Sequence, residues 1–527
     1  MAELKLFPIG IQDFAKLRNT GKYYVDKTDL VYKMTHTADY YFLSRPRRFG
    51  KSLLISTLEY YFKGRKDLFT GLAIEELEKE WKKYPVIRLD MSLVKYTNEK
   101  TLDIILNKIL EPFEEEFCVK ANPENHAWGA RLASIIEAAH KKTGEEVVVL
   151  VDEYDTPMLD TFGEENFFDI RNSIRSLYSP LKALGGILRF VFLTGISKFS
   201  QLSIFSELNN LKIITMDDTY AAVCGITEEE LFSQMKPEIQ ALADKQKMTY
   251  EEACAALKQK YDGYHFSENS PDIYNPFSLI NALSDRKLTN YWFSTGTPTI
   301  LTKLIKKYNM NPADFEKGFM ATSEMFDAPT ENATSPVPLL YQSGYLTIKK
   351  PMPGERFLLG YPNEEVRDGF SKSLMPYYAT NDVVTNDTFL MAFSDELESG
   401  AVDDALTRMR AFFSSVPYTA EKQDENHYKT LFYLIARLCT PFVVRTEEAS
   451  AAGRADMVIE TTTAVYVFEF KRDSRAEEAL SQIDDKGYLI PYTVTKDKNG
   501  NLKKLFKIGV NFDSKTRTLG EWKWVEG

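Results

Sequence analysis

Two stretches of this 527-residue chain carry residue types whose spacing could do chemistry. The first ends "YYFLSRPRRFGKS", on Gly50-Lys51-Ser52, and leads into an amphipathic run. A phosphate loop needs backbone N–H groups converging on the phosphates, a lysine for their outer oxygens and a hydroxyl for Mg²⁺. Gly50, Lys51 and Ser52 supply the end of that pattern, yet Arg45 stands where GxxxxGK[ST] has its first glycine. Further on, "VVVLVDEYD" reads as a buried strand ending on Asp152 and Glu153. Such an acidic pair is costly to bury alone, and a Mg²⁺-bound phosphate gives it a partner. Ser52 and Asp152 are then expected to hold the metal, and Glu153 to orient and deprotonate the attacking water. "RFVFLTG" brings Thr194, with Ser197 and Lys198 just beyond, beside the terminal phosphate. The nucleotide-binding segment is expected to run through Arg47, Arg48, Phe49, Gly50, Lys51, Ser52 and Leu53. Phosphate contact and structural pairing with acidic neighbours are both open for Arg47 and Arg48. Arg171 and Arg175 are candidate arginine fingers in cis or in trans. The plainer alternative makes "GKS" a helix start and "DE" a surface turn.

The second stretch is "GRADMVIETTTAVYVFEFKRD". Glu469 and Lys471 are two apart, so on a strand they share a face with Val467, while Phe468 and Phe470 face the core. A hairpin centred between Thr462 and Thr463 puts Asp456 directly across from Glu469. Two carboxylates and a backbone carbonyl, that of Phe470, could hold one or two Mg²⁺ ions, with Mn²⁺ as a substitute. The metal would polarise a phosphodiester and acidify a water that Lys471 positions or activates. The alternative is a cross-strand salt bridge among Asp456, Lys471 and Glu469. Like charges held close repel, so Asp456→Ala is expected to leave the metal-free domain as stable as before, or more so.

These groups need a scaffold. Over the first ~225 residues short apolar strands alternate with longer helical patterns, the signature of an α/β domain with a mainly parallel sheet. Strands are expected at 40–43, 86–90, 147–151, 189–193 and 212–216, and helices at 101–117 and 129–141. From Ile226 two capped helices follow, "TEEELFSQM" with a full capping box and "TYEEACAALKQKY" without one. "LLYQSGYLTI" and "ERFLLGYP" read as hairpin strands about a Pro-Met-Pro-Gly turn. The last ~135 residues read helix, strand pair, helix, strand, with a tight turn at Asn499-Gly500.

With these motifs in order, the chain resembles bacterial AAA-ATPase-like proteins that carry a C-terminal PD-(D/E)XK nuclease superfamily domain. The resemblance rests on "IGIQDFAKLR", "YYVDKTDLV", "SRPRRFGKSLL", "LVDEYDTP", "FLTGISKFS" with "FSELNNL", "YDGYHF" with "YNPFSL", "LLYQSGYLTI", "LGYPNEEVR" and "GRADMVI" with "VFEFK". Arg45 is no departure, because the family's own loop is similar to "RPRRFGKS". The resemblance implies an additional-strand P-loop fold with ATP and Mg²⁺ as ligands. It supports Asp456, Glu469 and Lys471 as nuclease positions, and it makes Glu425 and Gln482 accessory positions.

Composition narrows the partners. A net charge of −11 argues against a broad electrostatic grip on nucleic acid, though not against a local basic groove. Acidic runs such as Glu114-Glu115-Glu116 read as solvated helix faces. Four scattered cysteines without CxxC spacing point to free thiols rather than zinc. No apolar run approaches ~20 residues and the start lacks a secretory pattern, so a cytoplasmic protein is expected. The expected architecture is α/β. A P-loop ATPase domain spans 1–225, a helical or winged-helix-like connector 226–385, and a PD-(D/E)XK nuclease-like domain 386–527. The expected function is ATP hydrolysis coupled to metal-dependent DNA cleavage, in a possible homo-oligomer. The rival is a nucleotide-gated switch or scaffold whose nuclease-like domain binds a partner without cutting.

Overall fold

A computed structural model describes residues 5–120, 127–198, 211–292, 305, 308, 310, 312, 314–327, 335–378, 387–415, 425–439, 442–450 and 452–527. The chain divides into two compact units, 1–296 with 319–366, and 297–318 with 367–527. By this division most of the expected connector, 226–296 and 319–366, falls within the first unit.

In the first unit, β1 (Tyr40–Ser44), β2 (Val86–Asp90), β3 (Val147–Asp152), β4 (Leu188–Gly195) and β5 (Lys212–Ile213) form one parallel sheet. Their order is β2-β3-β4-β1-β5, so β4 separates the loop-bearing β1 from the acidic β3. That is the additional-strand P-loop arrangement. β3 is buried along its whole length, as its unbroken Val-rich run requires when helices cover both faces of a parallel sheet. The flanking helices Glu99–Glu116 and Trp128–Thr143 press Leu106, Leu110, Leu132 and Ile136 into the core. Glu114 is not solvated: it is buried against Arg131, at 2.7 and 2.8 Å, while Glu115 and Glu116 are exposed. A carboxylate can take a buried helix position when a guanidinium meets both its oxygens.

Beyond the sheet, the short pair β6 (Ile226–Thr227) and β7 (Ile273–Tyr274) frames a helical region with its own core of Leu231, Ile239, Leu257 and Leu279. Both helices here carry capping boxes, Thr227 with Glu230 and Thr249 with Glu252. The second helix thus has the full box that was not expected of it, because Glu252 stands three residues after Thr249 and its carboxylate accepts from the Thr249 N–H. β8 (Phe319–Thr322), β9 (Thr347–Met352) and β10 (Arg356–Gly360) make an antiparallel sheet. Only the end of "LLYQSGYLTI" is strand; its start lies in the Val337–Gln342 helix, whose Pro338 fits a first turn.

The second unit is built on β11 (Val443–Ser450), β12 (Gly453–Glu460), β13 (Ala464–Arg472), β14 (Lys504–Asp513) and β15 (Thr518–Glu526), in that order. Only β13 and β14 are parallel, joined by the helix Ala476–Asp485. Three antiparallel strands therefore stand where a pair was expected, β11 having been hidden by its charged stretch "RTEE". Phe432, on the helix Glu425–Leu438, lies 5.2 and 5.3 Å from Phe468 and Phe470 on one face of β13. Val465 and Val467 pack with Ile483 on the other. The turn at Asn499-Gly500 is present, with Asp497 accepting from the Asn499 and Asn501 N–H groups. Among the described residues no helix is long and apolar enough to cross a membrane.

Candidate functional sites on the two units

β1 ends at Ser44 and the loop turns at Gly50 (φ +96), a left-handed conformation that costs glycine little, before the helix Lys51–Phe62 begins. This sets the first N–H groups of a buried helix at the end of a parallel strand, the position that favours phosphate. Arg45 explains the missing glycine. Its guanidinium is fully buried and donates to the carbonyls of Ser44, Thr215, Tyr220 and Ala221, at 2.8–3.3 Å, over the ring of Phe266. Burial pulls it down to about 10, so it stays charged at neutral pH. Phe49 is buried between Tyr264 and Phe266, which leaves only its backbone for a ligand. Arg48 stacks 3.8 Å over Phe277, while Arg47 is exposed and Leu53 half-buried.

Lys51 is buried and donates to the carbonyls of Arg45 and Pro46, with its ammonium 3.2 Å from Glu153 Oε1. Glu153 itself sits at φ +53, a strained backbone for a non-glycine residue and one that recurs at active sites. Asp152, at the end of β3, is buried with no partner for Oδ1. Burial pushes its carboxyl up to about 6, against the pull of Ser52 and Lys51. A buried carboxylate oxygen left unpaired beside a lysine and a hydroxyl suits Mg²⁺-nucleotide. Thr194 is at the expected strand end, but its hydroxyl is committed to Leu43 O at 2.9 Å. Ser197 likewise donates to Asp155, which lies in the same acidic motif but carries no spacing signal of its own. Asp155 is fully buried and accepts from Ile196 N, Ser197 N and Ser197 Oγ, so it fixes the segment after β4. Burial, then the charge of Glu153, raises its carboxyl. Arg171 lies half-buried over Phe168 and Arg175 is exposed on the helix Phe167–Tyr178. The stretch 199–210, with most of "FSELNNL", lies outside the described residues.

In the second unit, β12 and β13 pair Met457 with Phe468 and Glu460 with Val465, the register expected from the hairpin centre. Carried one step further it sets Asp456 opposite Glu469. There the ladder stops, and Asp456 Oδ2 takes over by accepting from Phe470 N at 2.8 Å. Asp456 Oδ1 accepts from Lys429 Nζ at 2.9 Å. Lys471 donates to Glu469 Oε1 (3.2 Å) and to Gln482 Oε1 (2.7 Å), and Gln482 also donates to Glu469 Oε1. Gln482 reaches them because its helix sinks onto β14 at Gly509, where a Cβ would lie 2.3 Å from Ala476 O. Glu469 Oε2 is buried without a partner. Burial, then the charge of Asp456, pushes the Glu469 carboxyl up to about 7. An unpaired buried oxygen beside a second carboxylate fits a divalent ion, although no cluster of three or more His, Cys, Asp or Glu exists among the described residues. Both Asp456 oxygens accept hydrogen bonds, which runs against the expected stability of Asp456→Ala, because the substitution strands the Phe470 N–H and removes an acceptor from Lys429. Lys429 was missed, though it lies one helical turn after Glu425. The Glu425 side chain lies outside the described residues.

Residues 8–205 match the family model described as "Predicted AAA-ATPase", and residues 423–522 match the PD-(D/E)XK nuclease superfamily. An uncharacterized protein in the vnfD 5′ region of Azotobacter chroococcum mcd 1 is 34% identical over 529 residues, covering 98% of each chain. A solved structure, the Aeropyrum pernix ORC2 protein (ADPNP–ADP complexes), aligns with 66% of this chain and 94% of its own. Its identity is 9% and its TM-score 0.27, too low to add to the topology above.

Proposed function

Because this chain belongs to the predicted AAA-ATPases that carry a C-terminal PD-(D/E)XK nuclease superfamily domain, we propose that it hydrolyses ATP and cleaves DNA phosphodiesters. The observation that carries the nuclease half is the buried, unpartnered Oε2 of Glu469, facing the charge of Asp456. Asp456, Glu469 and the Phe470 carbonyl would hold Mg²⁺ or Mn²⁺. When bound, that ion supplies Lewis-acid polarisation of the phosphodiester and acidifies a water. Lys471, steadied by Gln482, orients the attacking water toward phosphorus. In the first unit Lys51 turns from Glu153 to the outer phosphates of ATP, and Ser52 and Asp152 would hold Mg²⁺. Glu153, released from Lys51, accepts the proton of the attacking water. Asp155 keeps the segment after β4 in place.

The free thiols of Cys118, Cys224, Cys254 and Cys439 suit a reducing cytoplasm. A homo-oligomer is a further part of the proposal, since an exposed arginine such as Arg175 could serve a neighbouring copy.

The test is incubation of pure protein with plasmid, linear and single-stranded DNA, with Mg²⁺ or Mn²⁺, with and without ATP. Metal-dependent cleavage lost in Glu469→Ala supports the proposal. Metal binding without cleavage of any of these would favour the rival, a nucleotide-gated switch or scaffold. Cleavage rates that differ between ATP, ADP and no nucleotide would establish coupling; identical rates would refute it.

A further inference from the structure

The ends of β13 and β14 carry a group of cations that the hydrolytic chemistry leaves unused. Arg472 follows Lys471 directly, and Arg475 stands three residues further on. Phe512 pairs with Arg472 across the parallel strands, and Lys515 and Arg517 lie in the turn beyond it. All four cationic residues are exposed. Two acids share this rim, and backbone N–H groups engage both. Asp473 Oδ1 accepts from Ser514 N at 2.9 Å, and Asp513 Oδ1 accepts from Lys515 N and Thr516 N at 2.8 and 3.1 Å. The acids thus hold the two turns in place, and the cations outnumber them in a chain whose net charge is −11. Arg517 sits at φ +56, a left-handed position that glycine takes at no steric cost. Arginine bears that strain instead, as residues at functional sites do. Burial raises the Tyr428 hydroxyl, and the charges of Arg517 and Arg472 pull it back against Asp473 and Asp513, so both guanidiniums lie about one ring. That ring stacks on Phe512, 4.9 Å between centroids.

We propose that Arg472, Arg475, Lys515 and Arg517 form a docking surface for the phosphate backbone of duplex DNA, next to the scissile phosphodiester. This rests on the nuclease reading. Arg472 lies one residue, about 3.3 Å of strand, beyond Lys471, which matches the rise of about 3.4 Å between neighbouring nucleotides. A guanidinium presents five donors in a fork that suits phosphate oxygens. Arg472 can therefore keep its 3.6 Å ion pair with Asp473 and still take a phosphate. The rings at the rim, Tyr428 and Phe512, are buried and offer unpaired bases no platform for stacking. Phosphate contacts fix a duplex in position and are blind to its sequence. The surface fits duplex in preference to single strands, and it fits any sequence.

Fluorescence anisotropy of the full chain with two unrelated labelled duplexes, in chelator and over a range of salt, tests this. Each backbone contact adds about 0.9 to the slope of log affinity against log salt, or about eight-fold in affinity at about 0.1 M salt. Arg517→Gly, which relieves the left-handed strain, and Arg472→Gln should each weaken both duplexes about eight-fold and lower the slope by about 1. Lys498→Gln, in the exposed turn that leads into β14, removes the same charge at the opposite end of the strand and should match wild type. With Mn²⁺, the two rim variants should need more duplex for half-maximal cleavage and keep the wild-type plateau rate. Wild-type affinity and slope in both rim variants would overturn the inference, as would single strands binding more tightly than duplex. If that happens while wild type still cleaves duplex, the surface falls and the nuclease reading stands. Rim-dependent binding without metal-dependent cleavage would keep the surface and refute cleavage. A wild type that neither binds nor cleaves duplex would refute both.

Discussion

Glu469→Gln should stabilise the metal-free second unit, and only at pH values where the native glutamate is ionised. The Glu469 carboxyl is raised from an ordinary 4.5 to about 7, chiefly by burial. Between those values the folded chain holds a proton that the unfolded chain has lost, so stability falls as pH rises through that window. The penalty is small below about 4.5 and complete above about 7. It amounts to about 3 kcal/mol at pH 8 and under about 1 kcal/mol at pH 5. Glutamine retains Oε1 for Lys471 and Gln482 and puts a neutral group where the unpaired oxygen lay. Weakening the Lys471 contact, which is one-third exposed on the lysine side, offsets about 0.5–1 kcal/mol. The net gain at pH 8 is about 2 kcal/mol, roughly 4–8 °C in Tm for a unit of this size. Calorimetric melts of the full chain in chelator at pH 5 and pH 8 measure it, and Mn²⁺ should raise wild type while leaving Glu469→Gln unmoved. An equal effect of the substitution at both pH values would refute the reasoning.

At the other site, Lys51→Ala should abolish ATP binding, whereas Glu153→Gln should bind ATP and hydrolyse it 10²–10⁴-fold more slowly, by equilibrium binding and phosphate release. Arg45→Gly, which restores the usual first glycine, should weaken the chain by about 2–5 kcal/mol and lower ATP affinity, because four carbonyls lose their donor. A gain in ATP affinity would mean that Arg45 only obstructs the loop. Asp155→Ala should cost about 2–4 kcal/mol through the stranded N–H groups of Ile196 and Ser197, and slow hydrolysis more than it weakens binding.

The sequence by itself determined what depends on neighbours along the chain. The Val-rich run that makes β3, the glycine before the Lys51 helix and the Thr227 capping box follow from periodicity, backbone freedom and local capping. The register that brings Asp456 to the level of Glu469 belongs with these, because a hairpin's centre sets the cross-strand partners along it. Tertiary structure decided what depends on burial and on partners far along the chain. Three of the four carbonyls that hold Arg45 come from Thr215, Tyr220 and Ala221, brought near only when β5 docks beside β1. Glu114 reads as one of three surface carboxylates until Arg131, on the next helix, covers it. Lys429 comes to Asp456 from another element, and Gln482 reaches Glu469 only because Gly509 lets a helix settle onto its strand. Which carboxylate oxygen stays unpaired, and how far a carboxyl is pushed from its ordinary pKa, depends on all the groups that exclude water around it. Desolvation is a property of the whole packed unit, so no local pattern of residues could have assigned it.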